Sequence, residues 1–318
     1  MTGFFETPFF KIAKNTLFDF IDDKGLKLSA ALAYYTIFAL APLLLLVISL
    51  VGIFYGKDAI EGKVFVELNG LIGPTAALQI QDMIKSVQLS EQSTMAFTLG
   101  LITLLIGATS IFVEIQDSIN MIWRVKAKPK KGWLKLIIDR LLSSSMIISL
   151  GFLLVVSLLV NGALLALMDR LSNVLPELTV LIANVLNTVI SFIVITVLFG
   201  TIFKVLPDAR IKWKDVRMGA FFTACLFLLG RFLIGIYISR TGAGSTFGVA
   251  GSIIVVMVWI YYTAAILYMG AEFTKVYAEY KGRQIQPAEF AVYVEQKEIE
   301  KEVKVLPPQH EDLHENNL

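Results

Sequence analysis

Apolar runs with almost no charge alternate along this chain with connections that hold most of its charge. The runs cover about 28–56, 93–113, 141–168, 178–203, 218–239 and 241–272. A helix rises ~1.5 Å per residue, so ~20 apolar residues cross the ~30 Å hydrocarbon layer of a bilayer. Each run is long enough, and the pattern predicts an all-α membrane protein with six transmembrane helices between 28 and 272. Ahead of them, within 1–27, Phe9, Ile12, Ala13, Thr16, Leu17, Phe20 and Ile21 recur at helical spacing, with Lys11, Lys14, Asp19 and Asp22 mostly off that stripe. This predicts an amphipathic helix that either lies in the membrane interface or packs on neighbouring protein. In the long connection 57–92, Gly73-Pro74 starts a helix well. Ile80, Met83, Ile84 and Val87 then form one stripe, which predicts short helices in the first outer loop. Residues 273–318 read as a polar tail, rich in Glu, His, Asn and Pro after Val303 and expected to be disordered at its end.

Composition narrows the class. The chain is 56% hydrophobic and 17% charged, with a mean hydropathy of +0.71. That is more apolar surface than a water-soluble fold can bury. The net charge of +2 says little, but its distribution says much. Lys and Arg number 4, 7, 5 and 6 in the N-terminal segment, the loops before the third and fifth runs, and the tail, against 3, 1 and 1 in the other connections. Such an imbalance predicts both termini in the cytoplasm. The dense run Arg124, Lys126, Lys128, Lys130, Lys131, Lys135 and Arg140 is read as orientation and lipid-headgroup attraction, not as a nucleic-acid surface. The lone Cys225 is expected to be a buried small hydrophobe, and no secretory signal is expected.

Candidate chemistry is sparse. Pro42 interrupts the first run and predicts a kink, with the hydroxyls of Tyr34 and Tyr35 two turns earlier. The last run begins with Gly242, Gly244, Gly248 and Gly251. These glycines permit either close helix packing or an unwound segment that exposes backbone groups to a solute. Arg231 is the one charge well inside a run, and such a charge marks a functional candidate by default. Arg231, Tyr34, Tyr35, Pro42, Gly244, Gly248 and Gly251 are therefore the candidate cavity residues. Glu272, Glu114 and Asn120 are candidates for gating or ion pairing. Glu272 would pair with a base or bind a cation or proton. Glu114, Asp117 and Asn120 would line a cavity mouth or form the wet side of a helix. No phosphate-binding loop, no metal-spaced Cys/His cluster and no nucleophile–base pair occurs, so no catalytic residue, metal or cofactor is expected. His310 and His314 both fall in the tail.

Four segments together resemble the BrkB/YihY family of bacterial integral membrane proteins: SAALAYYTIFALAPLLL (29–45), IN-x-IWRV (119–125), LPDARIKWKDVRMGA (206–220) and FGVAGSIIVVMVWIYYTAAILYMGAE (247–272). By position the resemblance marks Tyr34, Pro42, Asn120, Trp123, Pro207, Gly219, Gly248, Gly251, Trp259, Tyr261, Gly270 and Glu272. Ala39 and Phe247 stand where many relatives carry Ser and Tyr. The resemblance implies a six-helix protein of the cell membrane without a settled activity. Members have been labelled virulence factors, transporters and, under an older name, a tRNA-processing ribonuclease. The function expected is transport of an anionic small solute or lipid headgroup near Arg231, with membrane lipids as the surrounding partner. The alternatives are a non-transporting envelope scaffold and a membrane-embedded hydrolase.

Overall fold

The computed structural model describes residues 7–39, 77, 78, 81, 110–128, 176–241 and 248–295, with side chains omitted at 176–184, 235, 237–241, 248–253 and 255. Helix α1 is Pro8–Asp22. Helix α2 occupies 25–39 and α3 occupies 110–122. Strand β1 is Val125–Ala127, α4 is Pro176–Val205, β2 is Ala209–Arg210 and α5 is Trp213–Thr241. Helix α6 is Gly248–Tyr280, followed by β3, Gln286–Pro287, and β4, Ala291–Tyr293.

Three helices are long and apolar enough to cross a membrane, over Val185–Val205, Trp213–Ile234 and Val256–Tyr280. They coincide with the fourth, fifth and sixth runs of the sequence. The second run before 110 and the whole of the third lie outside the described residues, as does the first beyond 39. In the connection 57–92, Ala77, Leu78 and Gln81 are helical, where short helices were expected.

Within these helices hydroxyl side chains bond their own backbone. Thr196 donates to the Phe192 carbonyl at 2.7 Å, Thr201 to Val197 at 2.8 Å and Thr263 to Trp259 at 2.9 Å. A polar group in lipid must be satisfied inside the protein, and the carbonyl one turn back is the nearest acceptor. Outward faces are apolar. Val185, Val189, Ile193 and Val197 form an exposed row on α4, as do Phe221, Leu229 and Phe232 on α5. Cys225 falls on that same α5 row and is exposed, because its spacing of four from Phe221 and Leu229 puts it on the outward face.

Helix α5 packs on both α4 and α6, and α1 lies along α6. An aromatic line crosses the three long helices: Phe203 to Phe199 at 6.4 Å, Phe199 to Phe227 at 6.1 Å and Phe227 to Trp259 at 5.7 Å. The α5–α6 contact is antiparallel and built on small residues. A Cβ on Gly219 would overlap the Thr274 hydroxyl, one on Gly270 the Thr223 hydroxyl, and one on Gly230 the Tyr262 phenol. Lipid tails are as apolar as leucine, so helices in a bilayer associate through such close packing. Helix α1 buries Ile12, Thr16 and Phe20, and Ile12 packs with Phe273 and Val276 of α6. Its other side exposes Phe9, Leu17, Phe18 and Ile21. The helix thus combines the two readings of its sequence, one face on protein and one apolar face left outward.

Beyond α6 the chain is more structured than its polar composition predicts. Gly282, at φ +65°, ends the helix. The Gly282 N–H reaches the Glu279 carbonyl at 2.8 Å and the Arg283 N–H the Ala278 carbonyl at 2.9 Å. This is the paired bonding of a glycine-terminated helix, which satisfies its last carbonyls. The following segment then forms two antiparallel ribbons. Strand β3 pairs with β2, Arg210 opposite Gln286, and β4 pairs with β1, Val125 opposite Tyr293. The expected all-α class therefore holds for the helical body and is supplemented by these short strands.

The glycine contacts make a direct prediction. Gly270→Ala should lower stability by about 1–3 kcal/mol, the usual cost of overpacking. Thr223→Ala in the same chain should recover part of it, because the overlapped hydroxyl is gone. Thermal unfolding of the detergent-solubilised variants measures both; additive losses would refute the contact.

Candidate functional site

One end of the bundle collects the buried charges. Here α1 and α3 stop, α4 passes into α5, and α6 finishes. Helices α1 and α3 end alike, on a left-handed residue that is not glycine: Lys24 and Arg124, both at φ 57°. A non-glycine residue there costs of order 1 kcal/mol or more. At Arg124 the return is visible, because its guanidinium reaches Asp23 Oδ1 at 2.5 Å.

Three separated sequence segments meet at this end. Gln116 and Asn120, one turn apart on α3, face Asp208 in the loop after α4. Gln116 Nε2 donates to Asp208 Oδ1 at 3.2 Å and Asn120 Nδ2 to Oδ2 at 2.9 Å. The Asp208 backbone N–H returns a bond to Asn120 Oδ1 at 2.9 Å. One turn on, Trp123 Nε1 donates to the Ala271 carbonyl of α6 at 3.0 Å. The loop also holds the strap after α6, with the Ala288 N–H on the Asp208 carbonyl at 2.9 Å. Arg283 grips Asp215, in the first turn of α5, through Nε at 2.9 and 3.0 Å from the two carboxylate oxygens.

Next to Ala271 lies Glu272, whose exposure is 0%. Lys275, one turn along α6, sits with Nζ 2.8 Å from Glu272 Oε2. This is a close ion pair without hydrogen-bond alignment, and neither carboxylate oxygen of Glu272 has a hydrogen-bond partner. The same ammonium is 3.3 Å from Asp19 Oδ2, 3.8 Å from Asp23 Oδ2 and 3.3 Å from the Ile122 carbonyl. The Lys275 ammonium thus joins the Glu272 and Asp23 carboxylates in one cluster. Tyr268, one turn before Glu272, is fully buried. Its hydroxyl lies beside Ser118 and Glu114 of α3 without a well-aligned hydrogen bond.

Glu272 and Asn120 therefore stand at this end, in an ion-pair cluster and a carboxylate clamp respectively, and Glu114 borders the same α3–α6 seam. Arg231 is elsewhere. The α5–α6 register, Gly219 against Thr274 and Gly230 against Tyr262, puts Arg231 roughly 15 Å along the axis from the level of Glu272. Arg231 is partly exposed, between outward-facing Leu229 and Phe232. Tyr34 and Tyr35 are exposed, their rings 5.8 Å apart, with Phe38 4.8 Å from Tyr34. Gly248 opens α6 and Gly251 lies within it, so both are helical. Pro42 and Gly244 lie outside the described residues. No group of three or more His, Cys, Asp or Glu suited to a metal occurs among the described residues.

Sequence reasoning passed over Asp23, Asp208, Asp215, Lys275 and Arg283. The available signal was the placement of three aspartates in or beside basic segments, where a buried partner would give each a reason.

The family described as Virulence factor BrkB matches residues 16–292. Among curated relatives, a UPF0761 membrane protein of Pseudomonas paraeruginosa (strain DSM 24068 / PA7) is 28% identical over 265 residues, 79% of this chain and 59% of that protein. Another, from Stenotrophomonas maltophilia (strain K279a), is 26% identical over 273 residues, 84% of this chain and 61% of the relative. A third, from Pseudoalteromonas atlantica (strain T6c / ATCC BAA-1087), is 25% identical over 255 residues, covering 79% and 81%. The chain thus spans about three fifths of the length of the first of these relatives. No solved structure matches it.

Asn120→Ala should cost about 1–3 kcal/mol, because it removes the amide donor to the buried Asp208 Oδ2 and the acceptor of the Asp208 backbone N–H together. Thermal unfolding should show the loss, and Asp208→Ala in the same chain should add less than its own single effect. The segments that carried the resemblance at 119–125, 206–220 and 247–272 are those joined here by Asn120, Asp208, Trp123 and Ala271. With the family profile matching most of the chain, this protein belongs to the Virulence factor BrkB family of membrane proteins.

Proposed function

We propose that this protein moves an anionic small solute or a lipid headgroup across the cell membrane, with Arg231 as the anion's contact. The observation that supports the reading is the seating of ionisable side chains within apolar spans of two adjacent helices. Arg231 belongs to the Trp213–Ile234 span and Glu272 to the Val256–Tyr280 span. Arg at a helix centre costs ~2.5 kcal/mol or more even on the mildest scale. A scaffold closed by apolar packing has no use for that expense. In this reading the charged end faces the cytoplasm, since every Lys- and Arg-rich connection converges on it. The clamp of Asn120 on Asp208 and the Lys275 cluster then close the inner end, and the anion meets Arg231 deeper in the span.

The test uses purified protein in liposomes loaded with small organic or inorganic anions, or carrying headgroup-labelled lipid. Wild-type protein should release or translocate one of them. Arg231→Gln should return the flux to the protein-free baseline while thermal stability is retained. Flux that is indifferent to Arg231→Gln rejects the assignment of Arg231.

A further inference from the structure

We propose that Glu272 and Asp23 form a proton-binding site at the charged end of the bundle, loaded from water through Asp19. Three observations converge on it. Glu272 is 0% exposed, and both its oxygens lack a hydrogen bond. The Asp23 side chain is 5% exposed, and its Oδ2 is likewise without a hydrogen bond. Both carboxyl groups lie on one ammonium, with Lys275 Nζ 2.8 Å from Glu272 Oε2 and 3.8 Å from Asp23 Oδ2. Two carboxylates offer only acceptors, so a contact between them becomes a hydrogen bond only when one carries a proton.

The surrounding charges leave room for that proton. Among the described residues, Asp19, Asp23 and Glu272 face two cations, Arg124 and Lys275. Arg124 is committed to Asp23 Oδ1. Lys275 is divided among Glu272, Asp19, Asp23 and the Ile122 carbonyl. One negative charge remains, and one proton neutralises it. A metal ion does not suit the position, because the Lys275 ammonium already occupies the space between the carboxylates.

The route is short. Asp19 has a side-chain exposure of 37% and touches the Lys275 ammonium, which is itself 14% exposed. A proton from water can pass by Asp19 to Asp23 and rest on Glu272, and it leaves by the same path. On the other side of Glu272 the buried Tyr268 hydroxyl continues toward Ser118 and Glu114, so polar groups extend one turn deeper along α6. The titratable groups facing Glu272 are thus Asp19 and Asp23 from α1, Arg124 from the end of α3, and Lys275 and Tyr268 from α6. Glu114 stands behind Tyr268. As the coupling ion of transport, this proton rests on the reading given above; as a binding site it does not.

The experiment is infrared difference spectroscopy of the full-length protein in lipid, perfused from acid to alkaline buffer. A protonated-carboxyl stretch equivalent to one group per chain should disappear as the pH rises, and Glu272→Gln should remove it. Asp23→Asn should lower the pH at which it disappears, because a like charge beside the proton is gone. Asp22→Asn, the same charge change on the exposed side of α1, should leave that pH in place. If Glu272→Gln does not fold, the Asp23→Asn and Asp22→Asn pair decides the question alone. Spectra of wild type and Glu272→Gln that superimpose, or equal shifts from Asp23→Asn and Asp22→Asn, overturn the site. Flux measured in the same liposomes separates the two ideas. A titrating Glu272 band without anion flux defeats the transport reading, and flux without that band defeats the proton site.

Discussion

Helices in a bilayer are held apart from water along their length, and nothing hydrophobic tells one apolar helix which neighbour to prefer. Selection has to come from close packing and from polar groups at the helix ends. Here both kinds of contact concentrate in the lower half of the α5–α6 pair. Gly219 and Gly270 let the two backbones approach, each beneath a threonine of the partner helix. The approach sets the height of Ala271, whose carbonyl receives the Trp123 indole, and so the height of α3. Glu272 and Lys275 follow from the same register, and α1 is drawn in to meet them. The ion cluster is thus a consequence of two glycines.

The short strands complete that arrangement. A helix end needs partners for its last carbonyls, and α6 finds them through Gly282 and Arg283. The turn that results aims the Arg283 guanidinium at Asp215, where an acid in the first turn of α5 is also favoured by the helix dipole. The chain then runs back across the loop of Asp208 and across β1, tying α3, α4, α5 and α6 at one place. Each ribbon is only two or three residues long. Ribbons of that size are not stable alone; they persist because the helices bring both strands to the same end.

The long helices α4, α5 and α6 were legible because an apolar run of their length has few other fates, and Gly219 and Gly270 were marked by the resemblance before any packing reason was known. The strap after α6 was not legible. Gln286, Pro287, Ala291, Val292 and Tyr293 carry no alternation strong enough to name a strand, and pairing partners 76 to 168 positions away leave no local trace. The clamp of Asn120 was half legible: its spacing from Gln116 puts both amides on one face, but only the fold shows that the face meets Asp208. Asp23 was hidden for a different reason. At the end of an amphipathic stripe an aspartate reads as a solvated residue, and only the left-handed turn at Lys24 folds it inward.

Arg231 and Glu272 are the two charges for which the sequence demanded an account, and they differ in kind. A guanidinium keeps its charge in any protein environment, so Arg231 must be balanced or hydrated wherever it stands. It sits at a partly exposed position near the outward-facing Leu229 and Phe232. A carboxyl can shed its charge instead, and Glu272 has no exposure through which water could reach it. Its neighbours divide one ammonium among several acceptors, which weakens the compensation available to any one of them. In the proposed reading the permanent charge would hold an anion and the dischargeable one a proton. Their separation by roughly 15 Å along the α5–α6 contact means that any influence between them must travel through the packed glycine seam itself.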